Sequence, residues 1–112
     1  MKNPRHAVAA ASRVAPAEAC GVTVGGVAVP LDNVSKNPHK TFRVNPDQLV
    51  DVLERHSPMP WDGVWHSHPN GMAEPSEDDV QWHPPGKALY IVAQGKVYEY
   101  TDEGDFVTVH DG

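Results

Sequence analysis

Residues 62–69 of the sequence read Asp-Gly-Val-Trp-His-Ser-His-Pro. This stretch predicts a β-strand over Asp62–His68, because Pro69 cannot donate to a ladder and biases His68 toward an extended backbone. Side chains two positions apart in a strand point to the same face, so His66 and His68 are placed to hold one metal ion. The pair alone is weak support for a metal site, because histidines on an exposed face are common.

A carboxylate follows this strand at a distance that a short loop can close. Ser76 is a good N-cap for a helix that we predict through Trp82, and Asp79 falls in the first turn of that helix. Two imidazoles and one carboxylate, with a fourth position open for water, are the ligand set of catalytic zinc sites. The alternative role for Asp79 is a capping residue that serves Ser76.

Signals on both sides of the strand predict an α+β domain. On the N-terminal side they predict a helix over Pro4–Val14, a hairpin over Ala19–Asn33 turning at Gly25-Gly26, a short strand over Thr41–Val44, and a helix from Pro46 with Leu49, Val50 and Leu53 on one face. On the C-terminal side they predict strands over Ala88–Ala93, Lys96–Tyr100 and Phe106–Val109. We therefore expect helices packed on a curved, mostly antiparallel sheet.

The composition excludes several classes of protein. With a formal net charge of −6 and nine Lys and Arg residues in all, the chain lacks the basic surface that nucleic-acid binding needs. No apolar stretch approaches the ~18 residues that span a bilayer, so no membrane partner is expected. The single cysteine, Cys20, rules out an intramolecular disulfide and a cysteine-rich zinc site. The length of 112 residues fits a single domain over residues 1–112.

The pattern of these residues resembles the signature of the JAMM or MPN-plus metallopeptidases. That signature is an upstream Glu, then His-Ser/Thr-His-Pro, a spacer, Ser, two residues and Asp. Here Glu18 precedes the His66–Pro69 stretch. Ser76 and Asp79 follow it at the spacing of the signature, with Pro69–Pro75 as the seven-residue spacer. The segment Pro16–Gly21 is also similar to the family's connection between its first helix and first hairpin, and the resemblance covers nearly the whole chain.

The resemblance implies a cytidine-deaminase-like arrangement of the fold and a role for each matched residue. His66, His68 and Asp79 would ligate Zn²⁺. Glu18 would take the proton of the attacking water and return it to the leaving amine, and Ser76 would support the tetrahedral oxyanion. Ser67 is expected to point to the opposite face of the strand and to support the backbone rather than act as a nucleophile.

The resemblance also implies a peptidase or isopeptidase that acts on a ubiquitin-like protein of the sulfur-carrier type, or on a peptide with an extended C-terminal tail, in the bacterial cytoplasm. A phage tail-associated peptidase domain and a non-enzymatic metal-binding domain are the open alternatives. A cupin-type barrel would complete the histidine pair with Glu74, but two predicted helices ahead of His66 fit it poorly. The other candidate partner is a second copy of the chain, in a homodimer.

Other reactive or bulky side chains have simpler interpretations. The apolar strand context of Cys20 favours a buried, inert thiol over a nucleophile. His83 is four residues after Asp79, although a surface histidine beside prolines explains it equally well. The tryptophans near the motif shape either a groove or the core; they are Trp61, Trp65 and Trp82. Many family members continue into a C-terminal helix beyond the last predicted strand, which leaves open that the chain is part of a longer protein.

Overall fold

The computed structural model describes residues 1–72, 84, 86–101 and 103–112. In chain order its elements are α1 (Pro4–Val14), β1 (Cys20–Val24), β2 (Val27–Leu31), α2 (Pro46–Arg55), β3 (Trp61–Ser67), β4 (Ala88–Ala93), β5 (Lys96–Tyr100) and β6 (Phe106–His110). Over the described residues the strands form one sheet in the order β2-β1-β3-β4-β5-β6. The β3–β4 pair is parallel and the other neighbours are antiparallel. The expected α+β class with a mostly antiparallel sheet is confirmed.

The two helices cover opposite faces of the sheet. Ala7 and Ala10 of α1 pack on a cluster that includes Trp65, whereas Val52 of α2 packs on a second cluster that includes Val64. Because side chains alternate along β3, His66 shares the α2 face with Val64. A single open sheet with a helix on each face is not a barrel, so the cupin alternative is wrong. Of the helices in the described part of the chain, none has the length and apolar character of a membrane span.

Gly21 in β1 makes room for the indole of Trp65. A Cβ atom added at Gly21 would lie 2.2 Å from the carbonyl oxygen of Val29 and 2.4 Å from Nε1 of Trp65. Trp65 is itself 1% exposed and belongs to the cluster under α1. The close approach of backbone and indole therefore fixes β1 against β3, the two strands that flank the site.

The structure corrects two details of the predicted elements. Residues 41–44 form a loop with one isolated bridge between Asn33 and Val44, so the predicted strand is wrong. In α2 Val50 is 54% exposed, while the buried stripe is built around Val52. A helix turns by about 100° per residue, which places positions 49, 52 and 53 on one side and position 50 outside it. The predicted helix that begins at Ser76 lies outside the described residues.

The fit of Trp65 over Gly21 predicts a large cost for a single added methyl group. We expect Gly21→Ala to lower the free energy of unfolding by about 3 kcal/mol or more, since rigid backbone meets the new Cβ. Gly86→Ala is the control: among the described residues nothing lies within 4 Å of its added Cβ, and its φ of +72° resists the change. That strain should cost about 1–2 kcal/mol. Urea denaturation measures both, and equal losses would contradict the packing argument.

Candidate metal centre

The pairing of β1 with β3 brings Glu18 to the two histidines. Cys20 lies opposite His66 in the antiparallel register, so the residues just before β1 meet those at the end of β3. One candidate ligand atom from each of Glu18, His66 and His68 lies within 4.8 Å of the others. Residues far apart in sequence thus form a group that could hold a metal ion.

Burial and hydrogen bonding prepare this group for a cation. Glu18 is 7% exposed and His66 1% exposed, although both carry polar groups that prefer water. Nε2 of His66 lies 3.1 Å from Nε2 of His68. Nδ1 of His68 lies 2.7 Å from the carbonyl oxygen of Met72, which can only accept, so in the neutral ring Nδ1 carries the proton. Nε2 of His68 then presents its lone pair toward His66 and Glu18.

Ser67 holds the backbone beside Glu18, as expected from its position between the histidines. Its Oγ accepts a hydrogen bond of 2.8 Å from the amide of Ala19. Its own amide donates to the carbonyl oxygen of Ala19 at 2.9 Å. The amide and the carbonyl oxygen of Ala19 are therefore both bonded to Ser67 of β3, and these bonds fix where the chain enters β1.

A loop over residues 33–43 covers the other side of the group, and the signature motif does not include it. The amide of Glu18 donates to the carbonyl oxygen of Pro38 at 2.6 Å. The ring of Phe42 stacks on His66, with centroids 4.6 Å apart and planes 21° apart. The sequence signal for these contacts is faint: an aromatic residue in a polar loop, and an asparagine two residues after the apolar Val27–Leu31 segment.

Several predicted site residues lie outside the described part of the chain. Among them are Ser76, Asp79, Glu74, His83 and Trp82. The roles of Asp79 as a ligand and of Ser76 at the oxyanion therefore stay predictions. The other two tryptophans pack: Trp65 is buried in the core, and Trp61 packs against the cluster under α2 and carries Nζ of Lys87 4.8 Å from its ring centroid.

Cys20 is a buried, inert thiol. Burial, followed by the charges of Asp32 and Glu18, raises its pKa from 9.0 to about 12. Its Sγ lies 3.8 Å from the carbonyl oxygens of Leu31 and Asp32, which suits a neutral thiol as a weak donor. The thiol rather than the thiolate is the favoured form in this environment, and the thiol is a poor nucleophile.

Comparisons with known proteins show the family and the fold. Residues 2–107 match the family described as prokaryotic homologs of the JAB domain. A desampylase of Haloferax volcanii is 34% identical over 113 residues, covering 89% of this chain and 80% of its own. The fold resembles the solution structure of a protein from Desulfitobacterium hafniense, with a TM-score of 0.73 and 23% identity over 97% of this chain and 86% of that one.

The raised pKa of Cys20 predicts a loss of stability in alkali. Between pH 9 and about pH 12 the unfolded thiol ionises while the folded one keeps its proton, so the free energy of unfolding falls as pH rises. We expect Cys20→Ala to cost on the order of 1 kcal/mol at pH 7 and to fall less steeply over this window. Burial, followed by the charges of Glu99 and Asp62, also raises the pKa of Tyr90 from 10.0 to about 12, so some slope should remain. Urea denaturation across this range tests it, and identical slopes would contradict the assignment.

Proposed function

The chain belongs to the family of prokaryotic JAB-domain homologues, and on that premise we propose that it is a zinc-dependent peptidase or isopeptidase. Its proposed substrate is a ubiquitin-like protein of the sulfur-carrier type, cut after its C-terminal tail. The observation that carries the proposal is the group formed by buried Glu18 and His66 with half-buried His68. The relationship to a desampylase supports the choice of a ubiquitin-like substrate.

The donor set fits a zinc ion. Two imidazole nitrogens bound to tetrahedral zinc at about 2.0–2.1 Å stand about 3.3 Å apart. The two Nε2 atoms here are separated by 3.1 Å. We propose His66, His68 and Asp79 as the ligands. When bound, zinc supplies Lewis-acid chemistry, because it acidifies water and polarises a carbonyl oxygen.

Glu18 is proposed to move the proton during hydrolysis. The attacking water adds its oxygen to the scissile carbonyl carbon and gives a proton to the Glu18 carboxylate. The C–N bond then breaks as Glu18 passes this proton to the leaving nitrogen, which restores the carboxylate. Hydrogen bonds between Glu18 and Pro38 and between Ala19 and Ser67 support the orientation of Glu18 that both proton transfers need. Ser76 is proposed to donate to the oxyanion.

Zinc binding tests the first half of the proposal. Zinc added to chelator-stripped protein at 100 times its dissociation constant should raise the free energy of unfolding by about 2.7 kcal/mol. His66→Ala should abolish the rise, which thermal melting and calorimetric titration both measure. His6→Ala, at an exposed position on α1, is the matched control and should keep it. Equal zinc affinity in His66→Ala and in wild type would contradict the ligand assignment.

Cleavage of a substrate tests the second half of the proposal, the hydrolysis of a ubiquitin-like protein. Sulfur carriers with short C-terminal extensions are incubated with the zinc-loaded protein, and cleavage is followed by mass spectrometry. Glu18→Gln should retain zinc, because the ligands remain, and should lose at least about 10²–10⁴-fold in rate. Cleavage by the chelated protein would rule out the zinc mechanism. A zinc-loaded wild type that cleaves no carrier would instead favour a non-enzymatic metal-binding domain.

A further inference from the structure

The amide of Asn33 is bonded to the main chain of Glu18. Asn33 lies two residues after the end of β2 and is half-buried. Its Nδ2 donates to the carbonyl oxygen of Glu18 at 2.9 Å and to that of Thr41 at 3.0 Å, with the carbonyl oxygen of Pro38 at 3.4 Å. The two amide hydrogens are therefore both used, and one of them is directed at the proposed proton carrier.

The other half of the same amide shapes the loop that covers the site. Oδ1 of Asn33 accepts from the amides of Ser35 and Arg43, each at 3.0 Å. The chain closes on itself next to these bonds, because the amide of Val34 donates to the carbonyl oxygen of Arg43 at 2.8 Å. One side chain thus joins both ends of the loop over residues 33–43 and ties the loop to Glu18.

The β-ladder itself does not hold Glu18. β1 begins at Cys20, two residues later, and the bonds from Ser67 reach only Ala19. At Glu18 the amide is bonded to Pro38 and the carbonyl oxygen to Asn33, and both partners belong to the loop. The same loop places Phe42 against His66. The main chain of Glu18, from which the carboxylate extends, is therefore bonded to the loop through both its amide and its carbonyl oxygen.

We propose that Asn33 is a positioning residue: it holds the main chain of Glu18 so that the buried carboxylate faces the histidine pair. The inference rests on the proposed function for its catalytic consequence, while its structural part stands without it. A catalytic group displaced by about 1 Å can lose about 10²-fold in rate while substrate binding is kept. Loss of Asn33 should therefore lower kcat far more than it changes KM.

Two substitutions separate the two halves of the amide. Asn33→Asp keeps an oxygen for Ser35 and Arg43 but replaces the donor to Glu18 and Thr41 with a carboxylate oxygen, which their carbonyl oxygens repel. Asn33→Ala removes both halves. We expect each to lower kcat by about 10–100-fold with KM changed by less than about threefold and with zinc stoichiometry unchanged. Because Asn33→Asp keeps the acceptor half, it also serves as the test if Asn33→Ala does not fold.

Asn3 is the matched control for the loss of two backbone bonds. Its Nδ2 donates to the carbonyl oxygen of Ala28 at 3.1 Å, and its Oδ1 accepts from the amide of Ala28 at 2.6 Å. This tie joins the start of α1 to β2 and does not touch the site. Asn3→Ala removes two such bonds whereas Asn33→Ala removes at least four, so Asn3→Ala should lower the melting temperature by less. It should leave kcat within about twofold of wild type.

A readout without catalysis completes the test. In the metal-free protein, the amide hydrogen of Glu18 should exchange at least about tenfold faster in Asn33→Asp than in wild type, while that of Ala28 is unchanged. In the Glu18→Gln background, Asn33→Asp should cause no further loss of rate, because the group that it positions is already gone.

If the amide hydrogen of Glu18 exchanges as slowly in Asn33→Asp as in wild type, the inference is wrong. Equal losses of kcat in the Asn33 and Asn3 variants would also overturn it. If zinc-loaded wild type cleaves no carrier, the proposed function fails, and amide exchange alone still decides whether Asn33 positions Glu18.

Discussion

The antiparallel pairing of β1 with β3 is the constraint on which the site depends. Its register places Cys20 opposite His66, and therefore Glu18 beside the end of β3. A slip of one residue would turn His66 toward α1 and Ser67 toward α2, since side chains alternate along a strand. Gly21 and Trp65 oppose such a slip, because the indole fits where only a glycine leaves space. The reciprocal bonds between Ser67 and Ala19 hold the same register at the site itself.

This pairing also explains why polar groups can be buried at the edge of an apolar core. His66 lies on the same face of the sheet as the cluster of Val22, Val24, Leu31 and Val52. Burying a carboxylate and an imidazole there costs free energy unless they are hydrogen-bonded or bind a cation. The fold accepts that cost at one end of two central strands, where β3 stops and loops begin. Sites commonly lie where a rigid sheet gives way to loops.

Much of this was readable from local sequence signals, and the failures have a common cause. Proline and alternating residues located β3, and α1 was predicted with the bounds that the structure has, because an alanine-rich segment after Pro4 has few alternatives. The strand predicted over Thr41–Val44 failed, because distant bonds from Asn33 override its local β-propensity. The burial predicted for Val50 is wrong because its position around the axis of α2, about 100° from Leu49, lies outside the buried stripe. The parallel pairing of β3 with β4 has no local signal at all.

In the proposed mechanism, the two stretches of chain that form the site have separate roles: the histidines at the end of β3 bind the metal and Glu18, ahead of β1, moves the proton. His66 lies in β3 and His68 directly follows that strand, so their side chains share one side of the chain without help from β1. Glu18 reaches them only after β1 has paired with β3 and the loop over residues 33–43 has closed on its backbone. Changes in β1 or in that loop can therefore remove catalysis and leave the metal bound. A bound metal alone is then no measure of an assembled site, since the position of Glu18 is set by contacts that the metal does not supply.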